Sequence, residues 1–267
     1  MNKIEKLLAV AAAEVGYLEK SRAAYNADPN VIFEMVKGAG YDNYTKFAYY
    51  MDAIPGWYHG KKQGHAWCNV FTDYCFYRAF GVAMAAKITN HSQYGASVGW
   101  SADAYKDMGR LVWKNPRPGD QIYFGQNYDS LTHTGLVYRV DDNYVYTIEG
   151  NTSVGDNTII PNGGGVCRKK YSRYYVGICC FGRPMYELIE KDVDDMTDQE
   201  IFEAVQRYAN SRNVPAGMQD EYQEAIDLGI TDGSRPMALC TRVESTLMTE
   251  RAVEKMVEKA VKKALEK

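Results

Sequence analysis

The sequence has none of the features that would assign it at a glance. Its six cysteines (68, 75, 167, 179, 180 and 240) form no CxxC pair and no regular spacing, which argues against a zinc ribbon or a disulfide framework and leaves reduced thiols as the expectation. No run of about 18 apolar residues occurs, so no membrane-spanning helix or membrane insertion is expected. Net charge is small: 34 acidic against 31 basic side chains leave −3, too weak an overall field to point to nucleic acid or an anionic membrane. Histidine is scarce, at positions 59, 65, 91 and 133, so imidazole chemistry must come from one of four residues.

What is present suits a globular enzyme-sized chain. The 267 residues are 46% apolar and 24% charged, enough for one full core and a smaller appendage. Twenty-two tyrosines fit half-buried sheet positions, or rings that stack on sugars and peptides from loops. Near the start, Ile4, Leu7, Leu8, Ala11, Ala12 and Val15 recur with helical spacing. Glu14 cuts that apolar stretch short, so it reads as a helix and the protein is expected to be made without a secretory signal.

Residues Ala23 to Gly64 are polar and rich in Tyr, Asn, Asp and Gly, with helical signal only around Val31 to Val36, and read as a long ordered excursion. Trp67 to Gly81 is apolar and aromatic with a terminal glycine, the pattern of a buried helix with a glycine stop. From Arg117 the texture changes to strands: Gln121 to Phe124, Thr134 to Val140, Tyr144 to Ile148, and, after the glycines 163 to 165, Tyr174 to Phe181. Adjacent Cys179 and Cys180 then face opposite sides, at least one inward. Asp141-Asp142-Asn143 is hairpin-turn chemistry. One or two helices before a mostly antiparallel sheet give an α+β layout.

Composition shifts again near residue 193, so residues 1–190 and 191–267 are expected to be separate units, the second all-helical. Thr197 with Glu200 caps a helix through Ala209, and Glu221 to Leu228 forms a second. Thr241 with Glu244 starts an amphipathic pattern that runs to residue 267 and is suited to association into a homo-oligomer.

A thiol is a useful nucleophile near neutral pH when its anion is favoured, and a helix N-terminus beside an imidazole favours it. Cys68 sits in the first turn of its expected helix; Cys75, two turns further in, belongs to the core. His133 is the best base, at the start of a strand whose hairpin partner ends in Glu149-Gly150-Asn151. A three-residue turn at 141 to 143 would pair Val140 with Tyr144 and His133 with Asn151, and set Glu149 opposite Gly135. A carboxylate or amide there would orient the imidazole and complete a nucleophile, base and orienter set. The alternatives are a sheet-edge His133–Glu149 pair without chemistry, and His65 as the base.

The ordered segments Ala66-Trp-Cys-Asn-Val-Phe, Arg117-Pro-Gly-Asp-Gln-Ile-Tyr-Phe, Thr132-His-Thr-Gly-Leu-Val and Thr147-Ile-Glu-Gly-Asn resemble the successive motifs of the CHAP family, cysteine- and histidine-dependent amidohydrolases and peptidases with a papain-like fold. The resemblance covers residues 1 to about 185. It implies Cys68 as nucleophile, His133 as base and Glu149 as orienting acid, with Asn151 and Trp67 in supporting or substrate-orienting positions.

Ala13-Glu-Val-Gly-Tyr-Leu-Glu-Lys and Asn43-Tyr-Thr-Lys-Phe are similar to CHAP endolysins of phages and prophages. That implies bacterial peptidoglycan as the partner, an N-acetylmuramoyl-L-alanine or peptide-bridge amide as the bond cut, synthesis in a host cytoplasm and action on the wall after release. Some relatives bind calcium, but Asp28, Asp42 and Asp52 lack loop-type alternation, so no metal site and no cofactor are expected. Glu224 to Pro236 followed by Thr241-Arg-Val-Glu is similar to one surface-layer-homology unit, which makes wall binding a rival to oligomerisation for the tail. Two other functions compete: an idle wall-binding protein, and an intracellular amidase on a small glutathione-like peptide conjugate.

Overall fold

A computed structural model describes residues 2–91, 95–153, 164–189, 197–210, 219–228, 249–255 and 257–258. Contacts divide the chain into two compact units, Met1–Glu190 and Lys191–Lys267.

In the first unit, six α-helices precede the sheet among the described residues: α1 Lys3–Ala13, α2 Arg22–Ala27, α3 Lys46–Asp52, α4 Cys68–Phe80, α5 Val82–Thr89 and α6 Val98–Asp107. The sequence had suggested one or two. The stretch expected to be helical around Val31 to Val36 is a 3-10 turn over Pro29–Phe33. Helices α2 and α3 were missed because they are only six and seven residues long, too short for a periodic stripe. Their caps were nevertheless visible: Ser21 accepts from Ala24 N and Thr45 from Ala48 N. Helix α5 begins straight after the Gly81 stop, and α6 follows it.

The sheet is wholly antiparallel in the order β1-β6-β2-β3-β4-β5, with β1 Leu111–Val112, β2 Gln121–Gly125, β3 Leu131–Val140, β4 Tyr144–Thr152, β5 Gly165–Ser172 and β6 Ile178–Gly182. The fold class is therefore α+β, as expected. Two strand expectations need correction. Residues Tyr174 to Gly177 form a turn in which Tyr174 and Val176 are exposed, so the last strand is shorter than expected. Strand β5 was overlooked because Lys169 stands between Cys167 and Tyr171 on one buried face, which hid the two-residue alternation.

Helix α4 is the pillar of the unit. Every residue from Cys68 to Phe76 is buried, and the helix packs on α1, α3, β3 and β4. Phe47, Trp67, Phe71 and Tyr74 interlock with ring centroids 5.0 to 5.3 Å apart around Phe47. Of the adjacent cysteines, Cys180 is buried and Cys179 is half-buried. All five described cysteines are free; Cys240 lies outside the described residues.

In the second unit, α7 Asp198–Asn210 and α8 Gln219–Asp227 occupy the segments read as helical, and Ile201 N donates to the Thr197 carbonyl. Residues 249–255 and 257–258 are helical. The Thr241/Glu244 cap, the rest of the final helix and the 229–244 part of the repeat-like motif lie outside the described residues. Among the described residues no helix is long and apolar enough to cross a membrane.

Candidate active site

Cys68 is the first residue of α4 and is 5% exposed. Trp67 precedes it in a non-helical conformation and makes no side-chain cap bond, so the first backbone N–H groups of α4 have neither an intrahelical partner nor a capping oxygen from that residue. Trp67 is locked instead by its own indole, which donates 2.6 Å to the Glu19 carboxylate and stacks on Phe47 at 5.3 Å. Burial pushes the Glu19 carboxyl up, against the Trp67 and Asn43 N–H groups that favour its anion.

His133 enters from β3 and is fully buried. Its Nε2 lies 2.9 Å from Glu149 Oε2, while Nδ1 makes no hydrogen bond to a described oxygen or nitrogen. Burial alone would lower the imidazole, but the Cys68 sulfur and the Glu149 carboxylate outweigh it and raise His133 from 6.5 to about 10. The ring is thus the meeting point of the two other groups. Phe124 covers it at 5.8 Å.

Glu149 is anchored from three directions. Thr147 Oγ1 donates to Oε1 at 2.5 Å, and Tyr171 OH donates to Oε2 at 3.2 Å beside His133. Burial and the Glu149 charge push the Tyr171 hydroxyl far up, so it stays a neutral donor. Thr147 sits in a motif already singled out, but Tyr171 was missed with its strand.

The expected register holds for two pairs inside the hairpin and fails at the turn, and the β3–β4 ladder ends at Leu136–Ile148, short of the expected His133–Asn151 pair. Leu136 pairs with Ile148 and Val137 with Thr147, the register expected, but Val140 pairs with Val145 rather than Tyr144. A β-bulge between Val137 and Arg139 absorbs the extra turn residue. Two glycines let the parts approach. A Cβ on Gly135 would lie 2.5 Å from Glu149 Cγ, and one on Gly150 would lie 2.5 Å from Phe71 Cβ and 2.7 Å from the Trp67 ring. Asn151 follows in a left-handed conformation (φ 56°), buried, where the β4–β5 register shifts between Glu149 and Thr152.

Gln121 was quoted within a motif without a role. Its buried Nε2 lies 3.0 to 3.2 Å from Asn69, Thr72, Ser101 and Thr134 oxygens, tying α4, α6 and β3 together at β2. Asp120 beside it takes two bonds from Arg183. The remaining histidines lie elsewhere: His91 is buried against Trp57 and Asp73, while His59 and His65 are exposed on a groove. No group of three metal-type ligands gathers among the described residues.

Cys68, His133 and Glu149 lie within residues 60–151, which match the family model described as the CHAP domain, while Glu19 and Tyr171 lie outside them. The chain therefore carries a CHAP domain over the segment that contains Cys68, His133, Glu149 and Asn151. That match supports a hydrolase of the amidase or peptidase type. Searches of curated proteins and of solved structures found no match to the chain.

Proposed function

We propose that the protein is a peptidoglycan hydrolase of the endolysin kind that cuts a wall amide through Cys68. The observation that carries this reading is the buried His133 ring, joined to Glu149 on Nε2 and raised by both Cys68 and Glu149. The Cys68 thiolate attacks the amide carbonyl, and backbone N–H groups at the start of α4 receive the developing oxyanion. The His133 imidazolium gives its proton to the leaving amine, and the C–N bond breaks to leave a thioester on Cys68. The neutral imidazole then takes a proton from water, whose oxygen displaces the sulfur and restores the acid and the thiolate. Glu149 holds the ring in place throughout, and Asn151 and Trp67 take supporting positions around it.

Residues 191–267 serve this enzyme as a wall-binding or self-associating module. The protein is made in a host cytoplasm and meets the wall after release. Cys68→Ala and Cys68→Ser are expected to abolish the clearing of suspended Gram-positive walls and the release of new amino groups. Full lysis by the Cys68→Ala protein would refute the mechanism. Wall sedimentation without new amino groups would identify an idle binder, and turnover confined to glutathione-like conjugates an intracellular amidase.

A further inference from the structure

A groove of about 350 Å³ opens beside the segment that leads into the nucleophile's helix. His59, Lys62, His65 and Ala66 line one side, and Ser97 and Trp100 from the start of α6 line the other. Ala66 stands two residues before Cys68, which ties the groove to the place where an amide would be attacked.

The lining has an unusual chemical balance. Lys62, His59, His65 and Ser97 all supply hydrogen-bond donors, and among the described residues that line it there is no carboxylate. An ammonium-bearing ligand needs anions, which the described lining does not offer. A carboxylate needs donors and positive charge, which is what this groove presents. Lys62 is the one formally charged side chain in that lining; its backbone is fixed by two bonds to the Asp52 carboxylate, and its ammonium lies 5.4 Å from the Tyr58 ring centroid.

Trp100 adds a flat wall. The indole lies so close to Gly95 that a Cβ there would be 2.9 Å from the ring, yet the side chain remains 51% exposed. One face is thus seated on a backbone without a side chain and the ring stays accessible, a platform for a peptide plane or a methyl group.

We infer that this groove is the subsite for a free carboxylate of the substrate peptide, placing a negatively charged residue of a wall stem peptide next to the amide held at Cys68. The inference rests on the proposed hydrolase activity, and the test separates the two. Binding is measured by calorimetry with the full-length Cys68→Ala protein, using a soluble muropeptide with free stem carboxylates and the same muropeptide with those carboxylates amidated. The free acid is expected to bind roughly tenfold more tightly, the scale of one charge-assisted contact. Lys62→Ala with His65→Gln should bring that ratio close to one, while Trp100→Ala should weaken both peptides alike. Both Lys62 and His65 reach solvent, so their substitution leaves the core intact.

Equal binding of both peptides, binding of neither, or a preference that survives the double substitution overturns the subsite. Turnover by the unmodified protein is followed separately on the same muropeptides and on an S-alkyl glutathione. Turnover of both muropeptides without discrimination removes the subsite and leaves the hydrolase reading. Discrimination in binding without turnover of either muropeptide leaves the subsite and removes the wall-hydrolase reading. Cleavage of the glutathione conjugate alone assigns the same carboxylate chemistry to a small soluble peptide.

Discussion

Glu149 Oε2 stands 2.9 Å from His133 Nε2, and neither side chain reaches solvent. A buried imidazolium and carboxylate compensate one another, and removing one strands the other. Glu149→Gln keeps a hydrogen-bonding side chain of the same size but removes the charge, so the rate of amide cleavage at pH 7 is expected to fall roughly 100-fold. A loss below twofold would remove Glu149 from the mechanism. Glu149→Ala should in addition cost about 3 kcal/mol in urea unfolding.

The same pair sets a pH window. His133 titrates near 6.5 when unfolded and at about 10 in the folded protein, so the folded state binds its proton more tightly. Its contribution to stability is therefore complete below pH 6.5 and is lost as pH rises through 10. Unfolding midpoints taken from pH 6 to 10.5 should show this decline, and His133→Gln should flatten that part of the curve. The alkaline limb of kcat/KM follows the same ionisation, and Glu149→Gln should move it to lower pH because one of the raising charges is gone.

Gly150 is the point where β4 passes closest to α4. Gly150→Ala places a methyl group 2.5 Å from Phe71 Cβ, in the stretch of α4 that is buried from Cys68 to Phe76. Overpacking of this kind costs about 1–3 kcal/mol. Because the displaced strand carries both Glu149 and Asn151, activity should fall further than the melting temperature suggests. Gly135→Ala strikes Glu149 Cγ directly and should lower cleavage with a smaller loss of stability, read by parallel melts and rate measurements.

Trp67→Phe retains the stacking on Phe47 and removes the 2.6 Å indole donor to Glu19. Glu19 is 1% exposed, so an acceptor is left buried at a cost of about 1–3 kcal/mol. The loss should be smaller at pH 4 than at pH 7, since burial already favours the neutral acid and protonation relieves the unpaired charge. Equal losses at both pH values would show that the Glu19 charge is not what Trp67 serves.

Much of the site was legible because its parts are local in sequence. Cys68 at a helix start and the His133/Glu149 hairpin follow from apolar spacing and a short turn, and both are written in contiguous segments. Tyr171 and Gln121 were not, since each acts across strands or helices far apart in the chain, and no period marks such a contact. The helices before the sheet escaped for a different reason. At six or seven residues, α2 buries no side chain and α3 buries only Phe47, Ala48 and Met51, less than two turns of a stripe, so their caps are the clearer signal.

The bulge between Val137 and Arg139 separates two demands on one hairpin. Residues 141 to 144 are tied together by Asp141, whose carboxylate accepts from the Asn143 and Tyr144 backbone. Beyond the bulge, the strands run in the register that the imidazole and its carboxylate require. The tip is therefore insulated from the chemistry: its length is free to drift, and a short peptide inserted after Asp142 should leave hydrolysis intact while marking the outer end of the hairpin.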